Sequence, residues 1–270
     1  MNLCTLIAAI SILTWNTHRF GDYKKPEQNE VLHFLMEQDA DVVCLQEAEV
    51  LKYDKYLTLP EVKELLRKKY RYSYLDFSQY DSRHQFGIMV WSKYPLINKH
   101  TLEYEWGGNI ANRCDIVVGA DTFRLFNNHL QSYSYTAKDL EEFDAHHDYE
   151  GLKATYYRLK EKWSKAIPLR NEQARVVRKE IESSPYPVIV AGDFNSIELS
   201  YAYWHISRGL HDAWRSLHWF DYGATCVHRG YGVRIDYILC SDPLKPVQSA
   251  IPSASGSDHK PVTATLEWNK

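Results

Sequence analysis

The stretch Pro187–Asn195, PVIVAGDFN, joins an apolar run to polar residues at its end. The run is unbroken and rich in β-branched residues, which predicts a strand buried on both faces. Residues two apart on an extended chain point to the same side, so Asp193 and Asn195 should face one spot, with Phe194 turned away. A carboxylate beside an amide suits holding a water against an anion. An Asx turn ending a core strand explains the same residues, and this stretch alone leaves both interpretations open.

The composition is that of an ordinary soluble globular protein. The chain has 270 residues, with 44% hydrophobic and 25% charged residues, enough for a substantial core. Its net charge of −3 gives no overall attraction to nucleic acid, although a local basic face would suffice for binding. The 20 tyrosines and 8 tryptophans exceed what a core needs. We therefore expect some of them to line a surface or a cleft.

The five cysteines are scattered and show no spacing typical of a zinc site. Cys44 and Cys240 lie in apolar, strand-like runs, so buried free thiols in a reducing compartment are expected and a cytoplasmic location is favoured. The apolar N-terminus, residues 3–13, is too short to span a membrane. Residues 1–9 are interpreted as an N-terminal extension or an artificial start. A longer upstream membrane or export segment is left open.

Hydrophobic periodicity predicts alternating strands and helices. Residues 136–183 break this rhythm as a charged, mainly helical insertion interrupted at Pro168, whose basic residues are better explained by a solvated face than by a binding surface. No linker or internal repeat is visible, so residues 10–270 should form one domain of two packed sheets with outer helices. Strands are predicted at 10–16, 41–45, 71–79, 86–92, 97–106, 112–118, 122–130, 187–192, 224–228, 233–240 and 262–267, and helices after Pro26 and over 60–70.

Polar groups recur where the predicted strands begin or end, and such positions form sites on a rigid scaffold. Each group alone has an ordinary explanation, as a loop carboxylate or a surface turn. Six of them in one chain favour a functional site. They are Asn16, Glu47, His129, Asp193 with Asn195, Asp236, and Ser257–His259.

The order of these motifs resembles the endonuclease/exonuclease/phosphatase superfamily, which includes pancreatic deoxyribonuclease, sphingomyelinases and inositol polyphosphate phosphatases. The likeness runs from Ile10 to about Trp268. The resemblance implies an α/β fold: a four-layer α/β sandwich in which two mixed β-sheets pack face to face and are flanked by helices. The motifs are Asn16, LQE (45–47), NHL (128–130), GDFN (192–195), RIDYIL (234–239) and SDH (257–259).

The resemblance also implies a metal-dependent phosphohydrolase. Glu47 would be the principal ligand of Mg²⁺, for which Mn²⁺ could substitute, with Asn16 beside it and Asp258 supporting the metal or its waters. The other roles concern the attacking water and the phosphate. Asp193 would orient and deprotonate the water, Asn195 would fix the water or a phosphate oxygen, His129 and His259 would donate to the phosphate, and Asp236 would hold the His259 ring.

One position departs from the superfamily pattern. Many relatives have an acidic residue two positions after the strand-end asparagine, where this chain has His18. His18 could approach phosphate together with Arg19, or pack in its loop. Arg83, Asn109 and Arg113 could contact substrate, although an ordinary surface position is favoured for each.

The favoured substrate is nucleic acid, cleaved by an Mg²⁺-dependent nuclease or phosphodiesterase, because the motif set resembles that of DNA-processing relatives and because the stretch from Tyr156 to Trp163 is both basic and aromatic. The alternative is a phosphatase or phosphodiesterase for a small or lipid phosphate of the inositol phosphate or sphingomyelin type, which the acidic pI favours mildly. A non-catalytic scaffold is disfavoured, because Glu47, Asp193 and His259 are all present. A monomer without a stable protein partner is expected.

Overall fold

Two mixed β-sheets and a small hairpin carry the strands of this protein. The computed structural model describes residues 7–53, 55–81, 83–102, 104, 111–135, 139, 149–228 and 231–269. The strands are β1 Ile7–Asn16, β2 Val42–Gln46, β3 Val50–Leu51, β4 Tyr72–Tyr80, β5 His84–Ser92, β6 Leu96–Leu102, β7 Ala111–Val118, β8 Asp121–His129, β9 Val188–Asp193, β10 His211–Asp212, β11 Cys226–His228, β12 Tyr231–Val233, β13 Asp236–Cys240, β14 Lys245–Ala250 and β15 Val262–Asn269.

The strand order confirms the predicted mixed sheets. The first sheet runs β14-β15-β1-β2-β5-β3, with β4 also paired to β5, and the second runs β10-β13-β9-β8-β7-β6. The pairs β1–β2 and β8–β9 are parallel, and the other pairs within these sheets are antiparallel. Strands β11 and β12 form a separate hairpin.

Four of the five helices lie outside the two sheets and complete the four predicted layers, whereas Ala213 of the fifth belongs to the core between the sheets. Helices α1 and α2 pack on the outer face of the first sheet, and α3 and α4 pack on that of the second. Within the described residues, no helix combines the length and apolarity needed to cross a bilayer. The helices are α1 Glu30–Glu37, α2 Leu59–Leu66, α3 Tyr149–Glu182, α4 Tyr201–Ser207 and α5 Ala213–Leu217.

Side-chain alternation along the strands builds the core between the sheets. Ile10 and Ile12 of β1 face Ile189 and Ala191 of β9 in one cluster. The intervening residue of β1, Leu13, belongs to the cluster beneath α1 and α2. Because both faces of these central strands are covered, their sequences are apolar without interruption.

Several features of the fold differ from the sequence prediction, which also lacked strands β3 and β10 and helices α4 and α5. Strand β1 begins at Ile7, inside the segment interpreted as an extension, because Ile7 to Ala9 continue the pairing with β15. Strand β14 was missed because it is a largely exposed edge strand without an apolar run. Helix α3 continues through Pro168 instead of being interrupted there. The part of the insertion at 136–138 and 140–148 lies outside the described residues.

Part of the positive charge of α3 is used within the protein, which the solvated-face interpretation did not predict. Arg158 and Lys162 both pair with Asp139. Arg170 is buried, and its Nε–H donates to the carbonyl oxygen of Gln131 at 2.7 Å. These contacts stabilise the helix on the second sheet and leave only part of its charge for a ligand.

Candidate active site

Several strands of both sheets carry a polar residue on their inner face where they reach the same end of the sandwich. His129, Asp193 and Asp236 lie side by side on three neighbouring strands, because His129 pairs with Asp193 and Asp193 pairs with Asp236 in the strand register. Asn16 ends β1 of the facing sheet, on the same face as Ile10 and Ile12. Strand periodicity therefore brings these side chains together, as predicted.

Asp193 is the best-anchored group of this set. It is buried, and its Oδ2 accepts hydrogen bonds from Asn16 Nδ2 at 3.0 Å and Asn195 Nδ2 at 3.2 Å. Its Oδ1 accepts from the backbone N–H of Asn195 at 2.7 Å. Phe194 turns away into the core on the outer side of the second sheet, as predicted. The residues therefore face one spot and also make the Asx-type contact, so both sequence interpretations apply.

Gly192 allows β9 to approach β8 closely just before Asp193. Its φ is +128°, a conformation that L side chains rarely adopt, and an added Cβ would lie 2.1 Å from the carbonyl oxygen of Asn128. Asn195 then has a φ of 48° and donates from Nδ2 to the Leu130 carbonyl oxygen at 3.0 Å. The turn is thus anchored to the neighbouring strand.

Glu47 follows β2 in a left-handed backbone conformation, with a φ of 46°. Its carbonyl oxygen accepts from the backbone N–H of Arg19 at 3.1 Å, which helps to hold this conformation. Its Oε1 accepts from Asn16 Nδ2 at 3.2 Å and lies 3.6 Å from His129 Nε2. His129 Nε2 in turn lies 3.9 Å from Asp193 Oδ2. Glu47 and Asp193 therefore share both an amide and an imidazole.

Asp236 and His259 form a buried pair next to Asp193. His259 Nδ1 lies 2.9 Å from Asp236 Oδ2, and the His259 carbonyl oxygen accepts from Trp15 Nε1 at 2.8 Å. Burial opposes the charged ring, but the carboxylates of Asp236 and Asp193 and the thiol of Cys226 together raise the pKa of His259 well above its usual value. The geometry and the charge both favour an imidazolium.

The carboxylates of the site have opposite pKa shifts. Burial, reinforced by the nearby Asp236 carboxylate, raises the pKa of Asp193 to about 6. For Asp258, the hydrogen bond from His18 and the charge of His259 outweigh the effect of burial and lower the pKa to about 2. A buried carboxyl with a raised pKa inside a polar cluster is typical of a proton acceptor in an active site.

His18 pairs with Asp258 instead of providing a second acidic group. Its Nδ1 lies 3.3 Å from Asp258 Oδ1, and this contact raises the pKa of His18. Residues 18–23 all have φ between 41° and 64°, a left-handed turn in place of the loop predicted there. Arg19 Nε lies 3.7 Å from Glu49 Oε2. The turn therefore directs His18 and Arg19 to two different carboxylates.

The other predicted substrate contacts do not join this cluster. Arg113 lies on β7, and its Nε donates to Glu180 Oε2 of α3 at 2.7 Å, so it ties a strand to a helix. Arg83 is exposed before β5, and no hydrogen bond or ion pair of the described residues connects it to Glu47 or Asp193. Asn109 lies outside the described residues.

Sequence reasoning missed Cys226, which lies next to the ring of His259. The two residues form an antiparallel bridge, and the thiol sulfur lies within 4.8 Å of a ring nitrogen. Cys226 opens a short strand with no neighbouring metal-ligand motif. No signal in the sequence could therefore have linked it to the site.

The donor set fits a hard divalent cation. Glu47, Asp193, Asp236 and Asp258 bring four carboxylates to one end of the sandwich, where their ion pairs within the described residues are with histidines. Oδ1 of the buried Asp236 has no hydrogen-bond partner among the described residues. Oxygen-rich groups with excess negative charge are what Mg²⁺ and similar ions prefer.

Comparisons with known proteins agree with this geometry. The model of the "Endonuclease/Exonuclease/phosphatase family" matches residues 13–259. No curated protein matches the sequence. Among solved structures, the chain is similar to the endonuclease/exonuclease/phosphatase from Beutenbergia cavernae, with 18% identity over 97% of this chain and 72% of that chain and a TM-score of 0.69.

Two further solved structures are TDP2 proteins. Truncated TDP2 from Caenorhabditis elegans has 19% identity, coverage of 96% of this chain and 97% of that chain, and a TM-score of 0.64. D. rerio TDP2 complexed with single strand DNA product has 17% identity, coverage of 96% and 99%, and a TM-score of 0.61. At these identities the structural matches show a shared fold.

Proposed function

The chain belongs to the endonuclease/exonuclease/phosphatase family, whose members are metal-dependent hydrolases of phosphoester bonds, and from this premise we propose that it is an Mg²⁺-dependent phosphodiesterase acting on nucleic acid. The observation that carries the proposed reaction is the buried Asp193 carboxylate. It lies beside Glu47, His129 and the Asp236–His259 pair at one end of the sandwich. This arrangement supplies a proton acceptor, metal ligands and hydrogen-bond donors in one place.

Glu47 would hold the cation, with Asn16 beside it, and Asp258 would bind its waters. When bound, the cation polarises a phosphoryl oxygen and offsets the charge of the leaving group. In the structure, Asn16 Oδ1 accepts from the His18 N–H at 3.1 Å while its amide group donates to Glu47. Asn16 therefore also orients Glu47 within the site.

Asp193 would activate the attacking water. One carboxylate oxygen of Asp193 takes a proton from the water while the water oxygen attacks phosphorus. The ester P–O bond on the opposite side of the phosphorus then breaks. Asn16 and Asn195 hold the carboxylate from both sides, so it needs little reorganisation for this step. The reaction leaves one phosphate product and one alcohol, which takes up a proton.

The two histidines would stabilise the phosphate as negative charge grows on it. The Asp236 carboxylate accepts a hydrogen bond from Nδ1–H of His259, so Nε2 is the ring nitrogen that remains to donate to a phosphate oxygen. His129 Nε2 lies within 4 Å of both Glu47 and Asp193, where it can donate to the same group. Donors fixed before the reaction stabilise developing charge at little cost in reorganisation.

Exposed aromatic residues on α3 support a nucleic-acid substrate. Tyr156 is 50% and Tyr157 59% exposed, and the two rings make an edge contact. Lys153 and Lys160 are exposed on the same helix. Aromatic rings beside cations suit stacking on unpaired bases and contact with the backbone. The TDP2 structure with a single-strand DNA product, which shares this fold, adds support from a relative.

A second candidate is a phosphoester of a lipid or small molecule. In the loop after α5, the side chain of Trp219 is 79% exposed and that of Phe220 is fully exposed. This loop leads along the chain to Cys226 at the site. Exposed aromatic residues of this kind suit an apolar surface such as a lipid layer. The exposed aromatic pair therefore supports a lipid phosphoester as the second candidate substrate.

The reaction is tested with bis-p-nitrophenyl phosphate in the presence of Mg²⁺, Mn²⁺ or EDTA. We expect hydrolysis with either metal, none with EDTA, and loss in Asp193→Ala. The matched control is Asp39→Asn, which changes an exposed carboxylate at the opposite end of β2. Absence of hydrolysis with both metals in a folded protein would contradict the proposed diester chemistry.

The substrate class is tested with single-stranded DNA, duplex DNA, sphingomyelin vesicles and inositol phosphates. If nucleic acid is the substrate, Tyr156→Ala/Tyr157→Ala should raise KM for single-stranded DNA about tenfold or more, since stacking contributes roughly 1–3 kcal/mol per base. The rate on bis-p-nitrophenyl phosphate should stay the same. Preferential cleavage of sphingomyelin or inositol phosphates would instead favour the second candidate.

A further inference from the structure

The thiol of Cys226 lies against the imidazole of His259 because of how their two segments pair. The two residues form an antiparallel bridge, and backbone hydrogen bonds of 3.2 and 2.6 Å join their neighbours on both sides. Cys226 and His259 are therefore a non-hydrogen-bonded antiparallel pair, and facing side chains lie closest together in pairs of this kind. The contact follows from the backbone and does not depend on a long, mobile side chain.

Asp258 completes a group of three potential metal ligands with this pair. One ligand atom from each of Cys226, Asp258 and His259 lies within 4.8 Å of the others. Cys226 and Asp258 are at least partly exposed, whereas His259 is buried. An ion from solvent could reach the two outer ligands first, and both can rotate to close around it. Sulfur, nitrogen and oxygen ligands together are typical of Zn²⁺ and unsuited to Mg²⁺.

The orientation of the His259 ring suits such an ion. Its Nδ1 is held by Asp236 at 2.9 Å, so Nε2 is the nitrogen that remains for coordination. Histidines that bind zinc almost always donate their other ring N–H to a carboxylate or carbonyl oxygen, which fixes the ring and makes it a better ligand. The buried Asp236 already provides this partner.

We propose that Cys226, Asp258 and His259 form a binding site for a borderline-soft divalent ion such as Zn²⁺, which does not include Glu47 but shares Asp258 with the Mg²⁺ site proposed above. Binding releases the proton of the thiol and the proton of His259 Nε2, while Nδ1 keeps its proton against Asp236. No electron is transferred. Given the function proposed above, an ion at this site takes His259 away from the phosphate, so Zn²⁺ inhibits hydrolysis even with Mg²⁺ in excess.

The site is tested by binding of Co²⁺ to the full chain, followed by displacement with Zn²⁺. Coordination by a thiolate gives Co²⁺ a near-ultraviolet charge-transfer band that oxygen and nitrogen ligands do not produce. We expect this band in the parent protein and its loss in Cys226→Ala. Zn²⁺ affinity should fall by at least about a hundredfold, since losing even a supporting residue costs roughly 10–100-fold. Asp258→Asn keeps the thiol, so it should retain the band with weaker affinity.

Two cysteine variants serve as matched controls. Cys240→Ala removes a buried thiol on β13, and Cys4→Ser removes a thiol outside the described residues. Both should keep the band and the Zn²⁺ affinity of the parent. The proposal is overturned if the parent shows no band, or if the band survives in Cys226→Ala. Circular dichroism identifies variants that fail to fold, and Cys226→Ser then replaces Cys226→Ala.

The inhibition is measured separately, with each protein compared with its own rate without Zn²⁺. The concentration of Zn²⁺ that halves the rate at saturating Mg²⁺ should rise in Cys226→Ala by the same factor as the binding constant. If the parent binds Co²⁺ through Cys226 but hydrolyses no phosphoester, the proposed function fails and the metal site stands. If Mg²⁺-supported hydrolysis is present and both proteins respond equally to Zn²⁺, the inhibitory role fails.

Discussion

Replacing Asp193 with asparagine should stabilise the metal-free protein at neutral pH while abolishing most of its hydrolytic activity. Asp193 is buried beside Asp236, and both features raise its pKa from 3.8 to about 6. At about 1.4 kcal/mol per pH unit, keeping this carboxylate ionised costs the folded state about 3 kcal/mol above pH 6. Asparagine carries no charge and removes that cost. Because the asparagine side chain has only one of the two carboxylate oxygens, the loss of a hydrogen bond destabilises the folded state by about 1 kcal/mol.

The net gain in the free energy of unfolding should therefore be about 1–2 kcal/mol at pH 7.5, and it should depend on pH. Below pH 3.8 the carboxyl of Asp193 is protonated in both states, so the cost of its charge is absent. Between pH 3.8 and 6 the unfolded chain releases a proton that the folded chain retains, and the wild type loses stability as the pH rises. Urea denaturation in EDTA at pH 4.5 and 7.5 measures this difference. The hydrolytic rate with Mg²⁺ should fall roughly 10²–10⁴-fold, as expected on removing a general base.

Asp258→Asn is the matched control, because its pKa shift has the opposite sign. The pKa of Asp258 is lowered to about 2, so its ionised form stabilises the folded state above pH 3.8 and this contribution is lost as the pH falls. The side chain is half exposed, so the expected loss at pH 7.5 is below about 1 kcal/mol. The reasoning is refuted if Asp193→Asn is no more stable than the wild type at pH 7.5, or if the difference between them is the same at both pH values.

Three further substitutions test the site and its support. Asp236→Asn removes an important stabiliser of the His259 imidazolium, so the decline of kcat at alkaline pH should move to lower pH in a pH–rate profile. A profile that keeps the same alkaline limb would argue against a charged His259 in the reaction. Arg234→Leu leaves the buried Asp212 without its cation and should lower the free energy of unfolding by about 3–5 kcal/mol in urea, and a loss below 1 kcal/mol would contradict this. Gly192→Ala forces a Cβ against backbone at a positive φ, so thermal denaturation should show a loss of about 2 kcal/mol or more; unchanged Tm and activity would count against it.

Local sequence pattern was sufficient for most of the fold. The apolar run before Gly192 predicted β9, and strand alternation correctly placed Phe194 in the core and Asp193 at the site. The pattern failed where tertiary contacts provide the stability. Edge strand β14 is held by pairing with β15 and has no apolar run of its own, and α3 continues through Pro168 while it packs on the second sheet.

The position of Asn195 shows the same limit within the site. Strand alternation predicted that it would share a face with Asp193, and it does contact Asp193. Its φ of 48°, however, ends the extended conformation, and the contact arises from a turn instead. The left-handed turn at residues 18–23 could not be predicted either, because five of its six residues are not glycine and this conformation is unfavourable for them.

Periodicity and motif order were enough to predict two mixed sheets and a set of polar groups at strand ends, because the side a strand residue faces is a local property. Distances between segments required the tertiary structure. Asn16 and Asp193 are 177 residues apart and share a hydrogen bond, and His18 meets Asp258 across the chain. Cysteine spacing argued against a zinc site, whereas the folded chain places Cys226 against His259. Such a contact depends on the pairing of distant segments, about which neighbouring residues carry no information.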